Sequence, residues 1–161
     1  MTVTFTLNGV RVTSACDPAD RAVDVLREEF GQTGAVAGCY AGICGTCVIL
    51  VDDELLYGCL TPMFSIHDRR IETIDGISQT ETYQEISRSF REDGTTPCRL
   101  CFQGKVLSVY QLLKRAVEPD AHEIDEYLRV HRCRCTDTIE LVSMVIRIGA
   151  NRQERRRGDR G

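Results

Sequence analysis

The sequence predicts an α+β protein in which a half built of strands and one helix precedes a half built of four helices. Apolar residues alternate with polar ones near the start, at Val3, Phe5 and Leu7, whereas beyond position 80 they recur at helical spacing. The pattern changes near residues 76–80. Because each half has only about 75 to 85 residues and buries a small core, we expect metal ligation to contribute to folding.

The first half opens with a predicted hairpin. A strand is predicted at residues 3–7 and a second strand at residues 10–12. Asn8-Gly9 between them is typical of a two-residue hairpin turn. A helix is predicted next, with Asp17 as its N-cap, Pro18 at its first position and Gly31 beyond its end. Further strands are predicted at 48–51, 55–57 and 70–74.

The second half carries four predicted helices, at residues 82–91, 102–116, 122–130 and 139–148. Pro119 and Asp120 are start signals for the third helix, and Asp137 or Thr138 would cap the fourth.

Eight of the nine cysteines form two quartets. The first quartet has the spacing C-x4-C-x2-C-x11-C and comprises Cys39, Cys44, Cys47 and Cys59. The second quartet has the spacing C-x2-C-x31-C-x-C and comprises Cys98, Cys101, Cys133 and Cys135. The first spacing is typical of plant-type [2Fe–2S] ferredoxins. Since one such cluster needs four thiolates, two quartets predict two [2Fe–2S] clusters and an electron path between them.

The residues around the first three ligands favour iron–sulfur over zinc. Gly38, Gly42 and Gly45 precede or separate these ligands, and glycine tolerates the unusual backbone angles of a loop wrapped around an inorganic core. Structural zinc sites usually combine paired cysteines, or cysteines with histidines, at short spacing. The second quartet taken alone also suits zinc. Cys16 is expected to be a partly buried thiol before the first helix and not a ligand.

The composition favours an intracellular electron carrier. The net charge of −4 gives no electrostatic footprint for nucleic acid. The first residues contain neither a basic segment nor an apolar stretch long enough for a signal peptide or a membrane span. In a secreted chain so many cysteines would indicate disulfides. We therefore expect a cytoplasmic protein whose thiols are reduced and metal-bound.

These motifs together resemble a known family. The run from Gly38 to Leu60, the segment Ile71-Glu72-Thr73-Ile74-Asp75-Gly76 and the second quartet with its C-R-C-T sequence resemble the iron–sulfur subunit of the molybdenum hydroxylases. That family includes xanthine dehydrogenase, aldehyde oxidoreductase and aerobic carbon monoxide dehydrogenase. The resemblance spans roughly residues 3–148.

The resemblance implies a plant-ferredoxin-like β-grasp domain over residues 1–77 and a helical [2Fe–2S]-binding domain, a four-helix bundle, over residues 78–149. The chain would contribute no catalytic residue. Electrons would pass from a molybdopterin centre on a large partner subunit to the second-quartet cluster, with Cys135 beside the pterin. They would then reach the first-quartet cluster and FAD on a medium subunit, or another acceptor. Such complexes are often dimers of heterotrimers.

The chain departs from the family pattern around the second quartet. Pro97 replaces a glutamine whose side chain contacts the pterin, Arg99 replaces a glycine, and Asp137-Thr138 replaces Gly-Tyr. All eight sulfurs remain, so these departures concern the fit to the pterin.

Two alternatives stay open at this point. A free-standing two-cluster ferredoxin would carry electrons without partner subunits, and a zinc-stabilised interaction module would be colourless.

Residues 150–161 have a net charge of +3, from five arginines against Glu154 and Asp159. They are expected to form a disordered basic tail, with docking onto an acidic partner as the alternative. His67 and His122 are expected at the surface, whereas His131 could tune the neighbouring second-quartet cluster.

Overall fold

The computed structural model describes residues 2–116, 118–133 and 135–158. The strands in this part of the chain are β1 (Val3–Leu7), β2 (Val10–Ser14), β3 (Val48–Val51), β4 (Glu54–Tyr57) and β5 (Arg70–Glu72). The helices are α1 (Ala22–Glu28), α2 (Ile74–Ile77), α3 (Glu81–Glu92), α4 (Arg99–Arg115), α5 (Ala121–Leu128) and α6 (Thr138–Gly158), and a 3₁₀ turn covers Met63–Ile66.

The five strands form one mixed sheet in the order β2-β1-β5-β3-β4. Only β1 and β5 pair in parallel among them. The turn between β1 and β2 places Asn8 and Gly9 at φ values of 49° and 85°, which confirms the hairpin prediction. Asp52 and Asp53 make the same kind of turn between β3 and β4, at φ values of 49° and 70°.

Helix α1 ends as predicted but begins later than predicted. Gly31 has a φ of 64°, and the Gln32 N–H donates to the Leu26 carbonyl oxygen, which closes the helix. The expected start at Asp17 and Pro18 is wrong. The Asp17 side chain instead accepts a hydrogen bond from the Ala19 N–H at 2.9 Å, so the capping signal belongs to a separate turn before α1.

Strand β3 is shared by two hydrophobic cores, because its alternate side chains point to opposite faces of the sheet. Ile49 and Val51 pack with α1 in the first core. Val48 and Leu50 pack in the second core, which α2 to α6 complete. Helix α4 also reaches the sheet through Lys114, whose Nζ lies 2.8 Å from an Asp53 carboxylate oxygen. The two halves are therefore packed against one strand.

The predicted α+β class is confirmed, with a ferredoxin-like sheet half and a half of four helices, α3 to α6. Asp137 caps α6, since its carboxylate accepts the N–H groups of Ile139 and Glu140. The one-turn helix α2 and the 3₁₀ turn were not predicted. No helix among the described residues combines the length and the apolar character needed to cross a membrane.

The expected disordered tail is wrong for residues 150–158, which continue α6. Arg152 Nε lies 2.6 Å from a Glu85 carboxylate oxygen, and Arg155 forms an ion pair with the same side chain. The basic run is thus partly neutralised by α3, a partner that local charge counting does not reveal. Residues 159–161 lie outside the described part.

Candidate metal centres

The first quartet gathers at one end of the β3–β4 hairpin. Cys47 directly precedes β3 and Cys59 follows β4, and the strands pair Val48 with Tyr57. Both thiols are therefore brought together and buried. Cys39 and Cys44 belong to the preceding loop and are more exposed. That loop needs left-handed backbone at Gly42 and Gly45, whose φ values are 64° and 78°.

Backbone N–H groups converge on the exposed sulfur of Cys39. Its Sγ accepts hydrogen bonds from Ala41 at 3.4 Å, Cys44 at 3.4 Å and Ile43 at 3.5 Å. These donors, Ala41 first, lower the pKa of Cys39 to about 6. The loop therefore stabilises a thiolate before any metal binds, which is the form that ligates iron.

The buried cysteines of the first quartet are Cys47 and Cys59, and the pKa of Cys47 is shifted in the opposite direction to that of Cys39. Burial raises the pKa of Cys47 to about 12, although a hydrogen bond with the Cys59 backbone acts against the rise and the Cys59 side chain acts with it. A bound metal reverses such a shift, because a coordinating thiol is deprotonated outright. Within the quartet, Cys39 neighbours Cys44 and Cys47 neighbours Cys59. The four thiols therefore share one site, as one [2Fe–2S] cluster with four thiolate ligands requires.

The second quartet joins two distant segments of the chain. Cys98 is the N-cap of α4 and Cys101 lies in its first turn, whereas Cys133 and Cys135 lie between α5 and α6. The sulfur atoms of Cys98, Cys101 and Cys135 all lie within 4.8 Å of one another. The Cys133 and Cys135 sulfurs are 2.6 Å apart. The structure therefore brings all four thiols together.

The second quartet is also stabilised by hydrogen bonds to sulfur. The Cys98 N–H donates to Cys135 Sγ at 3.3 Å, which joins the two segments, and the Cys135 N–H donates to Cys133 Sγ at 3.2 Å. Burial raises the pKa of Cys101. For Cys133, burial acts in the same direction, but hydrogen bonds from Cys101 and Cys135 outweigh it and lower its pKa.

The two centres meet at a contact that we call the glycine junction, formed by Gly45, Gly104 and His131. A Cβ atom on Gly45 would lie 2.2 Å from His131 Nδ1, and one on Gly104 would lie 2.3 Å from the Gly45 carbonyl oxygen. Only glycine fits at either position. Gly45 lies between two first-quartet ligands, Gly104 follows Cys101 by three residues, and His131 precedes Cys133 by two. The loops of both quartets therefore touch.

His131 is held in this junction in its neutral form. Its Nε2 lies 2.7 Å from Ser108 Oγ, and Tyr57 donates a hydrogen bond from its hydroxyl to the adjacent Val130 carbonyl oxygen at 3.0 Å. Burial, with a smaller contribution from Lys105, lowers the pKa of His131 to about 4. The sequence singled out His131 for its position but did not reveal its contact with the first loop.

The remaining candidate residues differ in how deeply they are buried. Cys16 is partly buried and packs against the first core. Pro97 is buried and Arg99 is exposed at the start of α4. Lys105 was missed in the sequence: it is buried in α4, and its Nζ donates a hydrogen bond to Thr136 Oγ1. A lysine among the apolar residues that α4 contributes to the second core was the available signal.

Both halves match known iron–sulfur domain families. Residues 5–69 match the 2Fe-2S iron-sulfur cluster binding domain, and residues 73–145 match the [2Fe-2S] binding domain. The chain therefore carries two [2Fe–2S]-binding domains. These matches disfavour the zinc alternative for the second quartet.

The chain is similar over most of its length to several oxidoreductase components. It is 31% identical over 140 residues to the nicotine 6-hydroxylase small subunit of Paenarthrobacter nicotinovorans, a match that covers 87% of this chain and 84% of the relative. Aldehyde oxidoreductase from Megalodesulfovibrio gigas is 31% identical over 145 residues, or 88% of this chain. Only 16% of that relative is covered, so the chain corresponds to a small part of a larger protein.

The solved structures agree with these relatives. Quinoline 2-oxidoreductase from Pseudomonas putida 86 contains a chain that superimposes with a TM-score of 0.82 at 29% identity. The match covers 96% of both chains, so the whole described fold recurs there.

Proposed function

Because the chain belongs to the iron–sulfur subunit family of the molybdenum hydroxylases, we propose that it relays electrons between a molybdenum centre and an acceptor on partner subunits. The chain is an oxidoreductase component with an electron-transfer role. The reaction itself would occur on a larger molybdopterin-binding subunit, and this chain would add no catalytic residue. The glycine junction is the observation that carries the proposal, because it joins the loops of the two metal centres.

Each quartet would hold one cluster with four thiolates. Cys39, Cys44, Cys47 and Cys59 would ligate the first, and Cys98, Cys101, Cys133 and Cys135 the second. The all-sulfur donor set and the backbone N–H groups aimed at Cys39 and Cys135 support this assignment, since such hydrogen bonds favour thiolates and tune iron–sulfur potentials. When bound, a [2Fe–2S] group takes up and releases one electron.

The residues of the chain would position the two groups and shield the path between them. Gly45 and Gly104 permit the close backbone approach, and Tyr57 and Ser108 hold the His131 segment against it. Electron transfer slows steeply with distance, so direct contact between the loops favours rapid exchange. Division near residue 77 into two domains, with residues 150–158 belonging to the helical domain as the end of α6, is part of the proposal.

Exposed apolar side chains beside both quartets support docking to partner subunits. Ile43 and Leu60, near the first quartet, are 51% and 59% exposed. Leu100 lies between two second-quartet ligands and is 55% exposed, and Ile139 follows the same quartet and is 77% exposed. We propose that a molybdopterin subunit covers the second quartet and that an FAD subunit covers the first, in a cytoplasmic dimer of heterotrimers. The relatives, named as subunits or as larger proteins, disfavour a free-standing ferredoxin.

A rapid-mixing experiment on the purified complex tests this order. After substrate is added, Cys98→Ser should keep electrons at molybdenum and leave both the first cluster and the flavin oxidised. Cys59→Ser should still allow the second cluster to be reduced but slow delivery to the acceptor. The order is reversed if Cys59→Ser blocks reduction of the second cluster while Cys98→Ser still permits flavin reduction.

A further inference from the structure

Lys105 is a buried cation within α4. The residue is 5% exposed, although lysine is almost never buried without a partner. Its neighbours in the helix are apolar or small, including Val106 and Leu107 in the second core. A buried ammonium group is costly unless an opposite charge or a set of hydrogen bonds compensates it.

The protein partner of Lys105 is neutral. Its Nζ donates a hydrogen bond to Thr136 Oγ1. Over residues 2–116, 118–133 and 135–158, the ion pairs of lysine side chains involve Lys114 alone, which contacts Asp53 and Glu72. A hydroxyl group satisfies one donor of the ammonium but does not balance its charge.

Two sources of negative charge lie near Lys105: Asp125, which lines the same cavity as Lys105 but is paired with Arg129, and the second quartet. Thr136 follows Cys135 directly, and its Oγ1 lies 3.9 Å from Cys135 Sγ. Lys105 and Cys133 line the same cavity of about 380 Å³. With iron bound, four thiolates and two sulfides outweigh the charge of the irons, and reduction adds one further negative charge.

We propose that Lys105 is the fixed counter-ion of the second iron–sulfur centre and raises its reduction potential. The inference rests on the proposed ligand assignment of that quartet. Thr136 positions the ammonium, and the ammonium is attracted more strongly by the reduced than by the oxidised centre. At an effective dielectric constant of about 20, a unit charge several ångströms away changes such an equilibrium by about tenfold or more. Lys105 therefore makes the second centre a better electron acceptor.

Lys105→Met tests the inference, because methionine is similar in length and uncharged. A redox titration of the full chain, followed by electron paramagnetic resonance, should show a fall of about tenfold in the reduced-to-oxidised ratio of the second centre at a fixed potential. That change corresponds to about 59 mV for a one-electron couple. The first centre should shift less. Lys114→Met, which removes a charge from the exposed face of the same helix, is the matched control and should leave both potentials unchanged.

Further variants distinguish charge from packing. Lys105→Gln keeps a hydrogen-bond donor for Thr136 but removes the charge, so it should lower the potential as Lys105→Met does. Lys105→Arg keeps the charge and should keep the native potential. An unchanged potential in Lys105→Met with full iron content overturns the inference. Loss of the second centre in the methionine, glutamine and arginine variants alike would also overturn it, since Lys105 would then act in assembly. If the unmodified chain lacks a second paramagnetic centre, the ligand assignment itself has failed.

Discussion

The first and second quartets differ in how the chain assembles them. Three ligands of the first quartet lie within residues 39–47, and the β3–β4 hairpin supplies the fourth. The second quartet joins the start of α4 to the α5–α6 connection, with 31 residues between Cys101 and Cys133, and the Cys98 N–H donates a hydrogen bond to Cys135 Sγ across that joint. Local backbone geometry therefore builds the first site, whereas tertiary packing of the helices builds the second. Different perturbations should release the two clusters.

Replacing a ligand should have the largest effect. Cys47→Ser should remove the first cluster and about half of the iron, because Cys47 is buried at the junction of the loop and β3. Iron analysis with electron paramagnetic resonance checks this. Cys16→Ser is the control, since Cys16 belongs to neither quartet, and it should keep both clusters. Loss of a cluster in the control would show that the ligand set is wrong.

The second largest effect is expected from a cavity made in one core at a time, because each core supports a different cluster. Leu107 lies in the second core and Leu26 in the first, and both are buried. Each change to alanine should cost about 2–5 kcal/mol. Leu107→Ala should lower the temperature at which the second cluster is lost and have a smaller effect on the first cluster. Leu26→Ala should mainly lower the temperature at which the first cluster is lost. Thermal melts followed by visible circular dichroism measure both.

If either leucine variant lost both clusters at the same temperature, the two sites would not be stabilised by separate cores. Such a result would indicate instead that β3, which belongs to both cores, couples the halves into one unfolding unit.

The glycine junction provides a third test. Gly45→Ala introduces a left-handed alanine and a clash with His131, whereas Gly94→Ala introduces a left-handed alanine where no atom lies within 4 Å. The left-handed backbone costs about 1–2 kcal/mol in both. The clash should add about 1–3 kcal/mol for Gly45→Ala alone. Thermal melts of the two variants measure the difference, and equal melting would exclude a tight contact between the loops.

The smallest effect is expected at the end of α6. Glu85→Gln removes the shared partner of Arg152 and Arg155 and should cost about 1 kcal/mol, since this pair is partly shielded from water. Asp125→Asn breaks an exposed pair with Arg129 and should cost only a few tenths of a kcal/mol. Differential scanning calorimetry can compare them. A Glu85→Gln protein that melts like Asp125→Asn would show that the ion pair does not stabilise α6.

Short sequence motifs were sufficient to predict those parts of the fold that depend only on neighbouring residues. Asn8-Gly9 determines a hairpin through its own backbone angles, and the cysteine spacing reflects the geometry of a cluster loop. The same kind of signal was misleading at Asp17, because an aspartate followed by a proline suits a turn as well as a helix start. Contacts between distant segments were not predictable. Arg152 meets Glu85 across 67 residues, and Gly45 meets Gly104 and His131 only after the two halves pack.

We infer that each quartet holds its own [2Fe–2S] cluster. Iron and acid-labile sulfide analysis of the full chain, combined with electron paramagnetic resonance after dithionite reduction, measures the number of clusters. We predict about four irons per chain and two distinct paramagnetic signals. A single signal with about half that iron would show that one quartet is empty or holds another metal, and would contradict the account.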